Sequence, residues 1–362
     1  MEINDIFLLF ADVLPKEYHI QNTSHGTNDF REAIFATYEE GVLPAKLNNR
    51  LVIKLADNGF TDHEHLLMWE RLTLEYRKKG FYCPEYIRTK NNDYPIIQYK
   101  EHQCIVYAEE SSLYKTADSF EKSAIASSGK YKYLDQALRM NAAIAASHFN
   151  FSELPSGYAL FDLFDPADLV DEVMGNAQAW QKCVQDFPSR FDTQIQRIWK
   201  RWWSNREYLK SRYNELPTSI FQADINSTNI LLNENADFVG VLDFNLAGKD
   251  TFINYLFREI PYVFGESDSP SIDNEPPKLS IKANNDGATS CIIYAINIIK
   301  KIYTFSEAER ELALPLYRCI RPLWFTVVER FRKAKTEDDM QNLLDEVEQI
   351  QTMEIDFYNL MK

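Results

Sequence analysis

The 362-residue sequence is short of cysteine, of long apolar runs and of positive charge, and each shortage argues against a class of protein. Its five cysteines, Cys83, Cys104, Cys183, Cys291 and Cys319, are scattered, odd in number and without a C-x-x-C pair. That usage argues against a disulfide framework and predicts reduced, mostly buried thiols of a cytosolic protein. The longest apolar runs, such as Cys291–Ile299, reach about half the length of a membrane span. The first residues, MEINDIFLLFADVL, carry acid where a signal peptide needs base, and their apolar core is too short for one. Lysine and arginine number 39 against 54 aspartates and glutamates, a net charge of −15. Non-specific binding to nucleic acid or to anionic lipid is therefore disfavoured. An acidic surface favours cationic ligands, and it also serves solubility. There is no G-x-G-x-x-G loop, no internal repeat and no low-complexity tract. The expectation is a soluble, cytoplasmic protein.

What is present is a hydrophobic fraction of 45% and an aromatic fraction of 14%. These exclude a disordered chain and supply a sizeable core for two lobes or domains. The most informative stretch is Phe221–Asn245, FQADINSTNILLNENADFVGVLDFN. Two apolar runs, Ile230–Leu232 and Phe238–Leu242, flank the turn-rich Asn233–Asp237, which predicts a tight β-hairpin. Asp224 and Asn229 stand just before the first strand and Asp243 just after the second. A hairpin brings its open ends together, so two carboxylates and one carboxamide converge. Oxygen-only clusters of this kind suit Mg²⁺ holding a substrate's phosphates. Asp and Asn beside strands also cap turns through local hydrogen bonds.

Upstream, a short helix over residues 2–14 precedes three β-like segments, Tyr18–Thr23, Ala33–Tyr38 and Leu51–Leu55. Between the first two lies Ser24–Asp29, where Gly26 allows unusual backbone angles and Thr27 and Asn28 offer N–H and hydroxyl or amide groups. Such a turn is either a plain hairpin or a phosphate cradle. Lys54 lies in an otherwise apolar strand. Thr61–Lys79 reads as a helix with a capping box from Thr61 and Glu64 and with Gly80 as its terminator. Glu70 shares a helical face with Leu67 and Leu74, which points it inward as the partner of Lys54. His63 and His65, two apart on a helix, face different ways and do not make a metal site. Strands Ile96–Tyr99 and Gln103–Tyr107 follow, then a polar stretch from Ala108 to Ser112. Beyond it the pattern is helical: Tyr131–His148, 167–213, Cys291–Tyr303, Glu307–Phe331 broken by Pro315 and Pro322, and Glu337–Met361. Gly265–Thr289 is polar and reads as a long loop. The tryptophans at 180, 199, 202 and 203 are either core or an aromatic cage for a quaternary amine.

Taken in order, these features resemble the aminoglycoside phosphotransferase and choline kinase family, whose usual H-G-D-x-x-x-x-N, hairpin and I-D-F appear here as Q-A-D-I-N-S-T-N and L-D-F. Two departures stand out. Gln222-Ala223 replaces the His-Gly, and Asn254 replaces an acid that often braces the catalytic loops. The resemblance covers about residues 18–260 and implies an α+β, bilobal, protein-kinase-like fold. Its N-terminal lobe would span 1–107, its hinge 108–112 and its helical lobe 113–362. It implies ATP and Mg²⁺ as cofactors, with Gly26, Thr27 and Asn28 at the phosphates. Lys54, held by Glu70, would orient the α- and β-phosphates, and the Tyr107 carbonyl and Glu109 amide would meet the adenine edge. Asn229 and Asp243 would bind the metal, and Asp224 would be the catalytic base. The implied activity is transfer of the γ-phosphoryl group to a hydroxyl of a small-molecule acceptor, with the acidic balance favouring a cationic one. The alternative is a catalytically silent relative that binds nucleotide or ligand.

Overall fold

Alternating side chains shape the N-terminal half. Strands β1 (Glu17–Asn22), β2 (Phe30–Thr37), β3 (Arg50–Asp57), β4 (Tyr86–Ile87), β5 (Ile96–Tyr99) and β6 (His102–Glu110) form one antiparallel sheet. Its order is β1-β2-β3-β6-β4, with β5 also on β6. Period-2 alternation divides β3 between two faces. Leu51, Ile53 and Leu55 join Ile34, Ala36, Val106 and Ala108 in a core that also buries Ile6 and Phe7 of helix α1 (Ile3–Leu8). Val52, Lys54 and Ala56 point to the other face.

The computed structural model describes residues 1–24, 29–120, 132–151, 164, 171–261 and 287–362. The chain divides into two units. A sheet unit comprises Met1–Glu121, Phe151–Tyr158 and Thr228–Asn245, and a mainly helical unit comprises Lys122–Asn150, Ala159–Ser227 and Leu246–Lys362. Among the described residues no helix is long and apolar enough to cross a membrane.

In the sheet unit, helix α2 (His63–Lys78) starts and faces differently from the sequence reading. Its N-cap is Asp62, whose Oδ1 accepts the His65 N–H at 2.8 Å, so Thr61 and Glu64 form no capping box. Asp62 is the nearer residue with extended backbone and a short acceptor, which is what an N-cap requires. The buried stripe is His65, Trp69, Leu72 and Tyr76, at i, i+4, i+7 and i+11. Leu74 is exposed, so the Leu67–Glu70–Leu74 line is a flank of the helix and not its core face. Gly80, at φ +86°, does end the helix, with the Phe81 N–H reaching back to the Tyr76 carbonyl. A second, three-stranded sheet joins β7 (Lys115–Thr116), β9 (Ile230–Leu232) and β10 (Phe238–Val241).

The helical unit contains α3 (Lys132–Ala145), α4 (Glu172–Val184), α5 (Asp192–Arg212), the strand pair β8 (Thr218–Gln222) and β11 (Ala247–Thr251), and α6 (Phe252–Pro261). It continues with α7 (Gly287–Ile299), α8 (Glu307–Ile320), α9 (Phe325–Lys333), α10 (Glu337–Thr352) and α11 (Phe357–Leu360). Pro315 is accommodated inside α8, whereas Pro322 sits in the turn that separates α8 from α9. The tryptophans form a packed stack: Trp199 lies 6.3 Å from Trp180 and 5.3 Å from Trp202, nearly parallel to both. Trp180 and Trp202 are fully buried, and the Trp202 indole N–H donates to the Cys319 carbonyl. Rings filled by one another are core, not the walls of a cage. Residues 262–286, most of the polar loop expected over Gly265–Thr289, lie outside the described residues.

Candidate active site

The lysine expected to meet phosphates stands on the middle of β3, directly opposite Tyr107 of β6. Val52 stands opposite Glu109 in the same register, so Lys54 and Glu109 are diagonal neighbours on one face. They meet: Lys54 Nζ lies 2.8 Å from Glu109 Oε1, and Glu109 is only 6% exposed. Burial works against the Lys54 charge, but Glu109, Tyr107 and Asp243 outweigh it and lift the pKa above the usual lysine value. Burial likewise lifts the Glu109 carboxyl above the ordinary range, against the pull of Lys54. Tyr86, opposite Glu109 on its other side, stacks on Tyr107 at 5.9 Å and 15°.

This geometry corrects two expectations. Glu70 is not the partner of Lys54. Its Oε2 accepts from Arg88 Nε at 3.0 Å, Arg88 Nη2 at 2.8 Å and the Tyr94 hydroxyl at 2.9 Å. The reason is the helix face: Glu70 sits one residue round from the Trp69 stripe, toward segment 88–94. Nor are the Tyr107 and Glu109 main-chain groups turned to a ligand. The Val106 and Glu110 N–H groups point to the β4–β5 side, donating to Pro95 and Glu85 carbonyls. Alternation turns those of Tyr107 and Glu109 into the ladder with β3. Glu109 contributes its carboxylate instead. Gly26, Thr27 and Asn28 lie outside the described residues.

The predicted hairpin forms within the expected bounds, with β9 and β10 paired Ile230 to Val241. Its turn is knotted by Asn233, whose Oδ1 accepts the N–H groups of Asn235 and Asp237, both at 2.9 Å. At the open end the Leu242 N–H donates to the Asn229 carbonyl at 2.9 Å, which sets Asn229 and Asp243 on neighbouring positions. Asn229 is buried, and Asp243 adopts a left-handed backbone at φ +62°. A non-glycine residue in that region is strained and is found where surrounding contacts impose it. The charge of Asp243 acts on Lys54, Glu109, Tyr86 and Tyr107, so the hairpin end and the Lys54 face adjoin within the sheet unit.

Gly240 is what allows this, and the sequence reading missed it. The Tyr82 N–H donates to the Val239 carbonyl and the Val241 N–H to the Tyr82 carbonyl, both at 3.0 Å. A Cβ on Gly240 would lie 1.8 Å from the Tyr82 oxygen. The hairpin is thus stapled to the chain that follows α2, and Tyr76 of α2 packs edge-on against Phe244 at 5.2 Å.

Asp224 belongs to the helical unit, just past β8. The Asn226 amide donates to its Oδ1 at 2.8 Å. Gln222, where the family has histidine two residues earlier, is fully buried, and its Nε2 donates to the Asp224 carbonyl at 2.6 Å. The Asn141 amide reaches the Gln222 carbonyl at 3.5 Å. Asn254 is also buried and donates to Asp250 Oδ1 at 3.0 Å and to the Tyr213 hydroxyl. A further acid lies within electrostatic reach of Asp224. Glu259 of α6 is buried, and among the described residues no hydrogen bond or ion pair neutralises it. Its neighbour Arg258 is taken by Glu172 at 2.6 Å and lies over Trp324 at 4.5 Å. Burial pushes the Glu259 carboxyl up to about 8, opposed by Arg258 and reinforced by Asp224 and Glu172.

Asn229 and Asp243 offer a carboxamide and a carboxylate oxygen, and among the described residues no group of three or more His, Cys, Asp or Glu could hold a metal. A two-residue oxygen set fits Mg²⁺, which keeps waters and takes phosphate oxygens for its remaining positions.

The fold is similar to the protein-kinase-like fold of small-molecule kinases of known structure. An aminopropanol kinase associated with a microcompartment superposes with a TM-score of 0.55 at 9% identity, over 96% of this chain and 94% of that one. An aminoglycoside phosphotransferase from Alicyclobacillus acidocaldarius gives 0.52 at 12% identity, over 99% and 95%. An amicoumacin kinase solved with AMP-PNP and Ca²⁺ gives 0.50 at 12% identity, over 98% and 95%. At such identities the likeness is one of fold. No protein-family model and no curated protein matches the sequence.

Proposed function

We propose that this protein is an ATP- and Mg²⁺-dependent phosphotransferase that moves the γ-phosphoryl group to a hydroxyl of a small molecule. The observation that carries the reading is the adjacency, in the sheet unit, of a charged lysine and the Asp243 carboxylate at the end of a hairpin that also bears Asn229. A cation for phosphate oxygens beside an oxygen pair for a metal is the arrangement that phosphoryl transfer uses.

In this reading Lys54 orients the α- and β-phosphates. Asn229 and Asp243 hold Mg²⁺, which when bound offsets the triphosphate's charge. Asp224, five residues before Asn229 in the chain, faces the acceptor hydroxyl and accepts its proton. The Gln222 amide on the Asp224 carbonyl supports a braced loop despite the absent histidine. Catalysis would come mainly from positioning and electrostatics, because the transition state is loose. The solved structure named for an aminopropanol kinase, together with the net charge of −15, supports an acceptor that carries an amino group as well as a hydroxyl.

The test is a screen of amino alcohols, sugars and aminoglycosides with MgATP, reading out phosphorylated product, followed by Asp224→Asn. The variant should turn over the accepted substrate about 10²–10⁴-fold more slowly, the range for general acid–base work, with MgATP affinity nearly unchanged. Undiminished turnover would remove Asp224 from the mechanism, and absence of both product and MgATP binding would defeat the phosphotransferase reading.

A further inference from the structure

The Lys54 side chain takes its orientation from the sheet, and the details go beyond a simple ion pair. Glu109 is bounded by both neighbouring strands. On the β3 side its carboxylate receives Lys54 Nζ at 2.8 Å, and on the β4 side Tyr86 stands directly opposite it. Tyr86 is itself locked by its stack on Tyr107 and by Trp69 of α2 at 6.4 Å. Lys54 Nζ lies 5.9 Å from the centre of the Tyr107 ring, so the stem is bounded on that side as well. Glu109 therefore sits between two strands whose register is set by main-chain hydrogen bonds, and it has little freedom to swing away.

The acid on the neighbouring helix is spent elsewhere. Glu70 is occupied by two of the Arg88 guanidinium nitrogens and the Tyr94 hydroxyl, a cluster that ties α2 to the segment following β4. An ammonium has three N–H donors. With one on Glu109, two remain for phosphate oxygens without loss of the anchor.

We propose that Glu109, a residue of strand β6, is the positioning residue that holds Lys54 in its phosphate-binding orientation, and that Glu70 of α2 has no part in it. This inference rests on the phosphotransferase reading for its consequence but not for its geometry. Because the anchor belongs to the same sheet as the lysine, the Lys54–Glu109 pair is set by strand register, and α2 bears on it only indirectly, through Trp69 against Tyr86. The role is indirect: Glu109 acts through Lys54.

Three variants, Glu109→Gln, Glu109→Asp and Glu70→Gln, test the assignment with two measurements on the full chain. The first is the rate at which an amine-acylating reagent labels Lys54, followed by peptide mass spectrometry as a function of pH. The second is MgATP affinity by calorimetry. Glu109→Gln should move the Lys54 labelling profile to lower pH and weaken MgATP binding roughly 10-fold or more, the worth of a charge-assisted hydrogen bond. Glu109→Asp, which keeps the charge and guards against a misfolded Gln variant, should fall between Gln and wild type in both. Glu70→Gln should leave both within about twofold of wild type, since its ion pair is partly solvated and serves stability. The proposal is overturned if Glu70→Gln matches the effect of Glu109→Gln, or if Glu109→Gln leaves the labelling profile where it was. If the profile moves as expected while no form of the protein binds MgATP, the positioning stands and the phosphotransferase reading fails.

Discussion

Replacing Glu259 with glutamine should make the protein more stable, increasingly so as the pH rises from about 5 to about 8. Glu259 is 7% exposed, and its carboxyl is pushed up to about 8 by burial and by Asp224 and Glu172. An unfolded chain releases this proton near 4.5. Below that pH both states hold it and no difference arises. Between about 4.5 and 8 the unfolded chain has lost the proton and the folded one keeps it, so stability falls as pH rises. Above about 8 both are ionised and the loss levels off. At ~1.4 kcal/mol per pH unit over the interval, the full loss comes to about 3–5 kcal/mol. Glutamine keeps the shape without the proton, so Glu259→Gln should match wild type near pH 5 and exceed it by that amount near pH 9. Five of the six tryptophans belong to the helical unit, so their fluorescence during urea unfolding reports the relevant transition. Titrating groups not coupled to Glu259 are common to both proteins and cancel in the difference. A difference constant to about 1 kcal/mol from pH 5 to 9, the error of such comparisons, would refute the reasoning, because Glu259 would then ionise like an exposed carboxyl.

Two further substitutions separate architecture from ligand binding. Gly240→Ala places a Cβ 1.8 Å from the Tyr82 oxygen, so the staple through Tyr82 must open. The loss should be at least about 2–3 kcal/mol, with faster hydrogen exchange at the Tyr82 and Val241 amides, and an unchanged melting temperature would show that the hairpin is not held there. Asp243→Asn removes a charge but keeps a side chain that tolerates the left-handed backbone at φ +62°. It should alter stability by less than about 1 kcal/mol yet abolish Mg²⁺-dependent nucleotide binding in a calorimetric titration; retained binding would remove Asp243 from the metal site.

Much of this molecule was legible wherever the information was local. The hairpin was recoverable because two apolar runs and an Asn-rich turn lie within one short stretch, and Asn233 closes that turn with its own side chain. Strands β2, β3 and β5 followed from short β-like runs, and the end of α2 from a glycine placed to terminate it, which the positive φ at Gly80 bears out. The fold class followed from the family resemblance that those elements and the Asp-Asn-Asp motifs carry when taken in order. The start of α2 failed by one residue, because two acceptors, Thr61 and Asp62, compete and only backbone geometry decides between them.

What stayed hidden depended on register between distant segments. Lys54 and its partner are 55 residues apart, and β3 and β6 could slide by one residue with no change in either local pattern. Such a slip would turn Glu109 to the opposite face and leave Glu70 the nearest candidate. Choosing Glu70 from its helical neighbours assumed that the face bearing Leu67 and Leu74 was the buried one, whereas the aromatic weight of Trp69 and Tyr76 decided otherwise. The same holds for Gly240, whose missing Cβ has meaning only against Tyr82. A residue's chemistry can be read within its own supersecondary element, but the partner it is given is a property of how elements are paired. Substitutions at 109 and 240 should therefore be felt through Lys54 and the hairpin, far from where their own sequence neighbourhoods would place the effect.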